Sequence, residues 1–217
     1  MKTHVFHLKR YLSTAGPGRA IVQMPKAQQL LTQGTQGTAV FYILAGLVKL
    51  TVVAHGKDRT MAIIGPETFT GKDCLATAWP RRTASATTLT NCTVLRIERN
   101  EMLRVIQHEE TFAAFFLDYL LTRITRYQDI VTDQLLNSAE QRLVRALLLL
   151  AKMGHGDTAD AVIPNISQEE LAEVVGTTRA RVNTFMNRFR NTGLIAYTYH
   201  GPVTIRIAAL SKLIAAR

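Results

Sequence analysis

The stretch VGTTRARVNTFMNRFRNTG, residues Val175 to Gly193, carries four arginines and no acidic residue. Val182, Phe185, Met186 and Phe189 fall within it at helical spacing, so one side of the helix is apolar. The opposite side holds Arg181, Thr184 and Arg188, with Asn183, Asn187 and Arg190 beside them. Asn and Thr are each about half a kcal/mol worse than Ala inside a helix. Arg179 and Arg181 stand in the first turn, where the helix dipole disfavours cations. A helix selected for stability alone would carry Glu there. The composition makes sense if duplex DNA supplies the missing anion. Arg donates bidentately to guanine and Asn can pair with adenine. Thr and Asn also bind phosphate oxygens. The competing explanation is an ordinary solvated basic face.

Working outward, Ser167-Gln168-Glu169-Glu170 is a capping box that opens a helix ending at Gly176. Thr178 is the N-cap of the next helix. Helix, glycine-containing turn, helix is the helix-turn-helix plan. Downstream, LIAYTYHGPVTIRI turns at His200-Gly201-Pro202 and alternates through Val203, Ile205 and Ile207. A hairpin behind the second helix makes a winged helix, with Thr204 and Arg206 facing away from its apolar side and its tip near phosphate. The expected DNA contacts are Ser167, Thr178, Arg179, Arg181, Asn183, Thr184, Asn187 and Arg188. No Asp or Glu follows Glu173, so the whole tail is basic.

Upstream, Leu117, Leu121, Ile124, Gln128, Val131 and Leu135 step by four and three within Phe112–Asn137. That is a heptad seam with one polar position. Two partners suit it: a second copy of the chain, with Gln128 setting the register of a parallel pair, or the chain's own β-domain. Ser138-Ala139-Glu140-Gln141 is another capping box, opening a helix to about Met153. The polar segment Gly154–Ala161 reads as a loop and is a candidate RNA polymerase contact. Between Arg19 and Ile97 the pattern is strand-like, with short β-rich runs such as VFYILAGLVKLTVV punctuated by glycines. Such a series suggests a sandwich, barrel or jelly roll.

The net charge of +10 over 217 residues points to anionic partners: nucleic acid, a membrane surface or acidic small molecules. The N-terminus MKTHVFHLKRYL lacks the apolar core of a signal peptide. The longest apolar run, Ala39–Val48, is too short to span a bilayer. No membrane association and a cytoplasmic location are therefore expected. Cys74 and Cys92 are too few for an all-cysteine cluster or zinc site and read as core residues. His4 and His7 lack a third ligand, so no metal is expected. No phosphate loop, nucleophile elbow or metalloprotease motif is present, and the chain does not read as an enzyme.

The order of β-rich domain, seam helix and winged helix resembles the cyclic-AMP receptor protein / fumarate–nitrate reduction regulator (CRP/FNR) family. The segment ISQEELAEVVGTTRARVNTFMNRFRNTGLI carries the strongest likeness. The resemblance implies an α+β chain: a cyclic-nucleotide-binding-type β jelly roll over residues 1–110, a dimerisation helix over 111–137 and a winged helix-turn-helix over 138–217. It also implies a dimeric bacterial transcription regulator. Where the family's recognition helix opens with Arg-Glu and a second Arg four residues on, this chain has Arg179, Ala180 and Thr184. Losing the Glu removes an acceptor for cytosine N4, so a different operator is expected, read by Arg179, Arg181 and Asn183.

The family's phosphate cassette is matched within FTGKDCLATAWPRRTASA by Gly71, Arg82 and Thr83. Lys72 replaces the Glu that, in cyclic-AMP responders, bonds the ribose. On the seam helix, Tyr127 and Gln128 replace the small hydroxyl pair that would meet adenine, and Tyr127 is large enough to fill an adenine space. These changes argue against conventional cyclic-AMP control. They leave open another anionic effector, drawn by Lys72, Arg81 and Arg82, or a ligand-free protein. Arg82 has a further alternative, a salt bridge with a neighbouring carboxylate. The leading function is a homodimeric regulator binding a pseudo-palindromic operator. Its rivals are a non-sequence-specific architectural DNA binder and a small-molecule sensor acting through protein contacts.

Overall fold

A computed structural model describes residues 6–54, 56–76, 81–154, 160–164, 166–197 and 201–215. The chain divides into two compact units, Met1–Tyr127 and Gln128–Arg217. The first opens with α1 (Leu8–Ser13). Eight strands follow: β1 (Arg19–Met24), β2 (Gln29–Leu31), β3 (Ala39–Ala45), β4 (Val48–Ala54), β5 (Lys57–Ile64), β6 (Phe69–Thr70), β7 (Ser85–Thr88) and β8 (Cys92–Glu98). A 3-10 turn, Lys72–Leu75, lies between β6 and β7, and α2 (Arg99–His108) and α3 (Glu110–Leu136) follow the strands. Two four-stranded antiparallel sheets result, ordered β1-β8-β3-β6 and β2-β7-β4-β5.

β3 accounts for the longest apolar run. Phe41 and Ile43 join Val48, Leu50, Ile64 and Val94 in the core between the sheets. Val40 and Tyr42 point the other way, into a second core with Leu95, Ile97, Met102, Val105, Phe112 and Phe116. Neighbours on a strand face opposite sides, so a strand covered on both sides has no place for polar residues. The two cysteines are buried and free. Burial pushes both thiols up, which keeps them poor nucleophiles.

α3 has two faces with different fates. Phe112 and Phe116 sink into the second core, with Tyr119 and Leu120 against it. The Tyr119 hydroxyl accepts from the Phe69 N–H at 2.9 Å and donates to the Phe69 carbonyl at 3.2 Å, tying the helix to β6. Within the first unit, Leu117, Leu121 and Ile124 of the heptad row do not pack on the β-domain. Leu117, Leu121, Ile124, Val131 and Leu135 are 53–77% exposed, and Gln128 among them is exposed as well. The compact units part inside α3, upstream of the limit at Asn137-Ser138 suggested by element type. The last turns of α3 bond within the second unit: Gln134 donates to the Val175 carbonyl at 3.4 Å, and Asp133 pairs with Arg145.

The second unit continues with α4 (Ala139–Gly154), β9 (Asp160–Ile163), α5 (Gln168–Val175), α6 (Arg179–Asn191), β10 (Ile195–Tyr197), β11 (Val203–Arg206) and α7 (Ile207–Ala215). Both expected capping boxes form. Ser138 and Gln141 exchange bonds at 3.0 and 3.3 Å. Ser167 and Glu170 do so at 3.1 Å each way. Two expectations need correction. The end of the supposed Gly154–Ala161 loop is strand β9, which pairs with β11 to give a three-stranded sheet ordered β10-β11-β9. Ile207, which continues the strand alternation in the sequence, instead begins α7, whose Leu210 is fully buried. Residues 155–159, which hold most of the proposed polymerase-contact loop, and residues 198–200, which include His200 of the expected His200-Gly201-Pro202 wing turn, lie outside the described residues.

Candidate nucleic-acid interface and anion cassette

The turn between α5 and α6 is set by Gly176, whose φ of +70° is in the left-handed region. A Cβ there would also come within 3.0 Å of the Gln134 side chain, so glycine is required. Arg142 of α4, a residue that sequence reasoning did not single out, braces this turn. It donates to the carbonyls of Val175 (2.8 Å), Asn137 (2.7 Å) and Gly176 (3.3 Å). Thr178 caps α6 by accepting from the Arg181 N–H at 3.4 Å. The helix then seats Val182, Met186 and Phe189 in the core, while Phe185 of the expected stripe is only half-buried.

The outward face of α6 sorts the expected DNA contacts into three groups. Arg179 and Arg181 are exposed and have no ion-pair partner among the described residues. Asn183 and Asn187 form part of a polar ladder. The Asn183 Oδ1 accepts from Gln168 Nε2 at 3.3 Å and from Asn187 Nδ2 at 3.1 Å, and Asn187 Oδ1 accepts from the Tyr197 hydroxyl at 3.3 Å. One row of side chains thus links α5, α6 and β10. The remaining residues are already engaged. Ser167 and Thr178 serve as caps, Thr184 donates to the Ala180 carbonyl at 3.0 Å, and Arg188 pairs with Glu140 of α4. Glu140 was legible only as part of a capping box; its pairing depends on α4 lying against α6.

In the first unit, Gly71, Lys72, Arg82 and Thr83 come together as the cassette motif implies. Arg82 is 5% exposed. Its Nη1 donates to the Gly71 carbonyl at 2.6 Å and to Asp73 Oδ1 at 2.9 Å, and its Nη2 to the Ala39 carbonyl at 2.6 Å. The salt-bridge alternative therefore holds for Arg82, and Asp73 is its partner. Asp73 Oδ2 accepts from the Thr83 N–H at 2.7 Å and from its hydroxyl at 3.2 Å. Lys72 donates to the Phe69 carbonyl at 2.9 Å. Burial, reinforced by the Arg123 charge, lowers the Lys72 pKa to about 8. Arg81 lies apart, exposed and donating to the Gly34 carbonyl at 3.0 Å. Tyr127, expected to fill an adenine space, is 42% exposed, and its hydroxyl accepts from Arg123 at 3.2 Å.

Residues 21–109 match the cyclic nucleotide-binding domain family, and residues 141–216 match the Crp-like helix-turn-helix domain family. Both motifs now coincide with built structure.

The chain belongs to the CRP/FNR family of transcriptional regulators.

Relatives of this family member span most of its length. The "CRP-like cAMP-activated global transcriptional regulator" of Mycobacterium tuberculosis is 27% identical over 177 residues, covering 80% of this chain and 79% of that protein. The "Anaerobic regulatory protein" of Bacillus subtilis is 24% identical over 186 residues, covering 84% and 78%. In fold, FixK2 from Bradyrhizobium japonicum superposes with a TM-score of 0.76 at 14% identity, covering 90% of this chain and 96% of that one. A CRP/FNR-family regulator from Thermus thermophilus gives 0.70 at 23% identity, covering 91% and 100%. This CRP/FNR regulator thus carries a helix-turn-helix DNA-binding domain and comes from a family of regulators rather than enzymes. Among the described residues no helix is long and apolar enough to cross a membrane.

Proposed function

We propose that this CRP/FNR regulator works as a homodimer, binds a specific pseudo-palindromic operator, and is not governed by conventional cyclic-AMP binding. The observation that carries DNA reading is the α6 face, where Arg179 and Arg181 stand exposed without a carboxylate partner among the described residues, beside Asn183. Leaving cations uncompensated at a helix N-terminus costs stability, and base edges and phosphates supply what is missing. Arg188, held by Glu140, acts as a brace between α4 and α6 rather than as a base reader. Asn183 has both lone pairs of its carbonyl occupied. It therefore offers only N–H donors, which suit guanine or thymine acceptors better than the two-way pair with adenine.

Dimerisation is supported by the exposed row on α3. Its apolar side chains gain about 25 cal/mol per Å² when a second copy covers them, and Gln128 within the row favours a single register. Against cyclic-AMP control stand the Lys72 ammonium, which cannot accept from a ribose hydroxyl, and Arg82, already neutralised by Asp73. The Mycobacterium relative is named as cAMP-activated; this chain lacks the carboxylate at Lys72 that such a response uses.

Selection of bound sites from a random duplex pool tests the main claim. An enriched pseudo-palindrome is expected. A pool without an enriched motif favours the architectural binder, and negligible DNA affinity at moderate salt favours the sensor that acts through protein contacts. Calorimetry with cyclic AMP and cyclic GMP, paired with operator binding, tests the effector claim. Tight cyclic-AMP binding that raises operator affinity overturns it.

A further inference from the structure

We propose that Asp73 is a built-in anion: its carboxylate occupies an oxyanion site that the first unit assembles around Arg82 and Thr83. Four donors converge on this one side chain. Oδ1 accepts from Arg82 Nη1 at 2.9 Å and from the Cys74 N–H at 3.0 Å. Oδ2 accepts from the Thr83 N–H at 2.7 Å and the Thr83 hydroxyl at 3.2 Å. A guanidinium, backbone N–H groups and a hydroxyl on one pair of oxygens is the donor set that holds phosphate, sulfate or carboxylate.

Most of this donor set is fixed by groups other than Asp73. The Arg82 backbone is pinned on both sides, its N–H donating to Thr35 O and its carbonyl accepting from the Gly34 N–H, each at 2.8 Å. The guanidinium is held by the Gly71 and Ala39 carbonyls at 2.6 Å. Gly37 and Gly71 give it room, since a Cβ at either would lie within 3.1 Å of its nitrogens. Asp73 reaches this set from the 3-10 turn, on a separate segment. Its side chain is 15% exposed, so the mouth opens toward solvent while Arg82 lies beneath. Removing the carboxylate alone leaves a preformed oxyanion site next to a buried cation. The ligand class is a small oxyanion, and in the natural sequence the chain supplies it.

This inference deepens the view that the domain needs no cyclic nucleotide. Its readout is thermal, so a failure of operator binding leaves it standing. The full-length protein and its Asp73→Ala variant are unfolded by heat in phosphate and in chloride at matched ionic strength. The natural protein should show the same midpoint in both. The variant should lose roughly 10 °C in chloride and regain several degrees in about 50 mM phosphate, as binding linkage requires. Should the variant fail to fold in chloride, refolding in phosphate alone supports the proposal, and refolding in neither overturns it. A double replacement, Asp73→Leu with Arg82→Met, keeps the packing without the charges and should ignore phosphate. Equal phosphate stabilisation of the natural protein and Asp73→Ala, or an undiminished response in the double variant, overturns it as well.

Discussion

Lys72 is a cation that its surroundings oppose. Desolvation, then the Arg123 charge, lowers its pKa from 10.5 to about 8. The unfolded chain therefore binds more protons than the folded one between pH 8 and 10.5. Stability must rise with pH across that window. The penalty is fully present below about pH 8 and amounts to roughly 3 kcal/mol if the whole shift is realised. Lys72→Met should raise stability at neutral pH by about 1–3 kcal/mol, the lost bond to Phe69 O taking back part of the gain. It should also flatten the rise above pH 8; urea unfolding at pH 7 and pH 10 checks both. On α6 the outcomes split by engagement. Arg179→Ala should cost about 1–3 kcal/mol at one base position and relax specificity there. Arg188→Ala should weaken all operators alike, because that guanidinium is spent on Glu140. Affinities across single-base operator variants separate the two. The cassette residues Gly71, Arg82 and Thr83 were legible as a motif. Asp73 was not, because its partnership with Arg82 arises only when the 3-10 turn folds back to the start of β7.

At the scale of elements, α3 poses the sharpest question. A helix that buries Phe112 and Phe116 yet leaves Leu117, Leu121 and Ile124 more than half exposed is amphipathic on two sides. The inner side is spent on the jelly roll, and the outer row is free. Leu121→Glu should therefore leave the fold intact, since the side chain is 55% exposed, while placing like charges face to face across the seam. Sedimentation should show a shift toward monomer with an unchanged circular dichroism spectrum. A dimer as tight as the natural one would place the interface elsewhere. The seam was readable because a heptad is a local pattern. The helix pair α5 and α6 was readable for the same reason, with Ser167, Gly176 and Thr178 marking three of its four boundaries. β9 was hidden: Ala161, Val162 and Ile163 follow a polar, glycine-bearing stretch, and their pairing with β11 joins residues about forty apart. α7 was hidden because it follows β11 without an intervening turn, so Ile207 extends the strand period by coincidence.

For the whole molecule, the arrangement on DNA has a thermodynamic signature that does not depend on knowing the operator. A net charge of +10, with no Asp or Glu after Glu173, makes phosphate contacts a large part of the affinity. Each phosphate neutralised releases condensed counterions, so log K falls with log salt by about 0.9 per contact. In a homodimer every substitution occurs twice. Arg190 is exposed on α6, its guanidinium 5.1 Å from the Tyr197 ring centre, a position from which a phosphate contact is expected. Arg190→Ala should then reduce the salt slope by about 2 for a dimer on a full site and about 1 for a monomer on a half-site. The two recognition helices of such a dimer meet successive major grooves, so half-sites should lie about 10 base pairs apart centre to centre. Inserting about 5 base pairs between them turns one half-site to the far side of the duplex and should cut affinity to near the non-specific level, with the slope change falling to that of one contact. Fluorescence anisotropy across a salt series, on natural and lengthened operators, measures both quantities in one experiment. A slope change of 1 on both operators would mean that a single winged helix engages DNA at a time. The exposed row of α3 would then need another occupant.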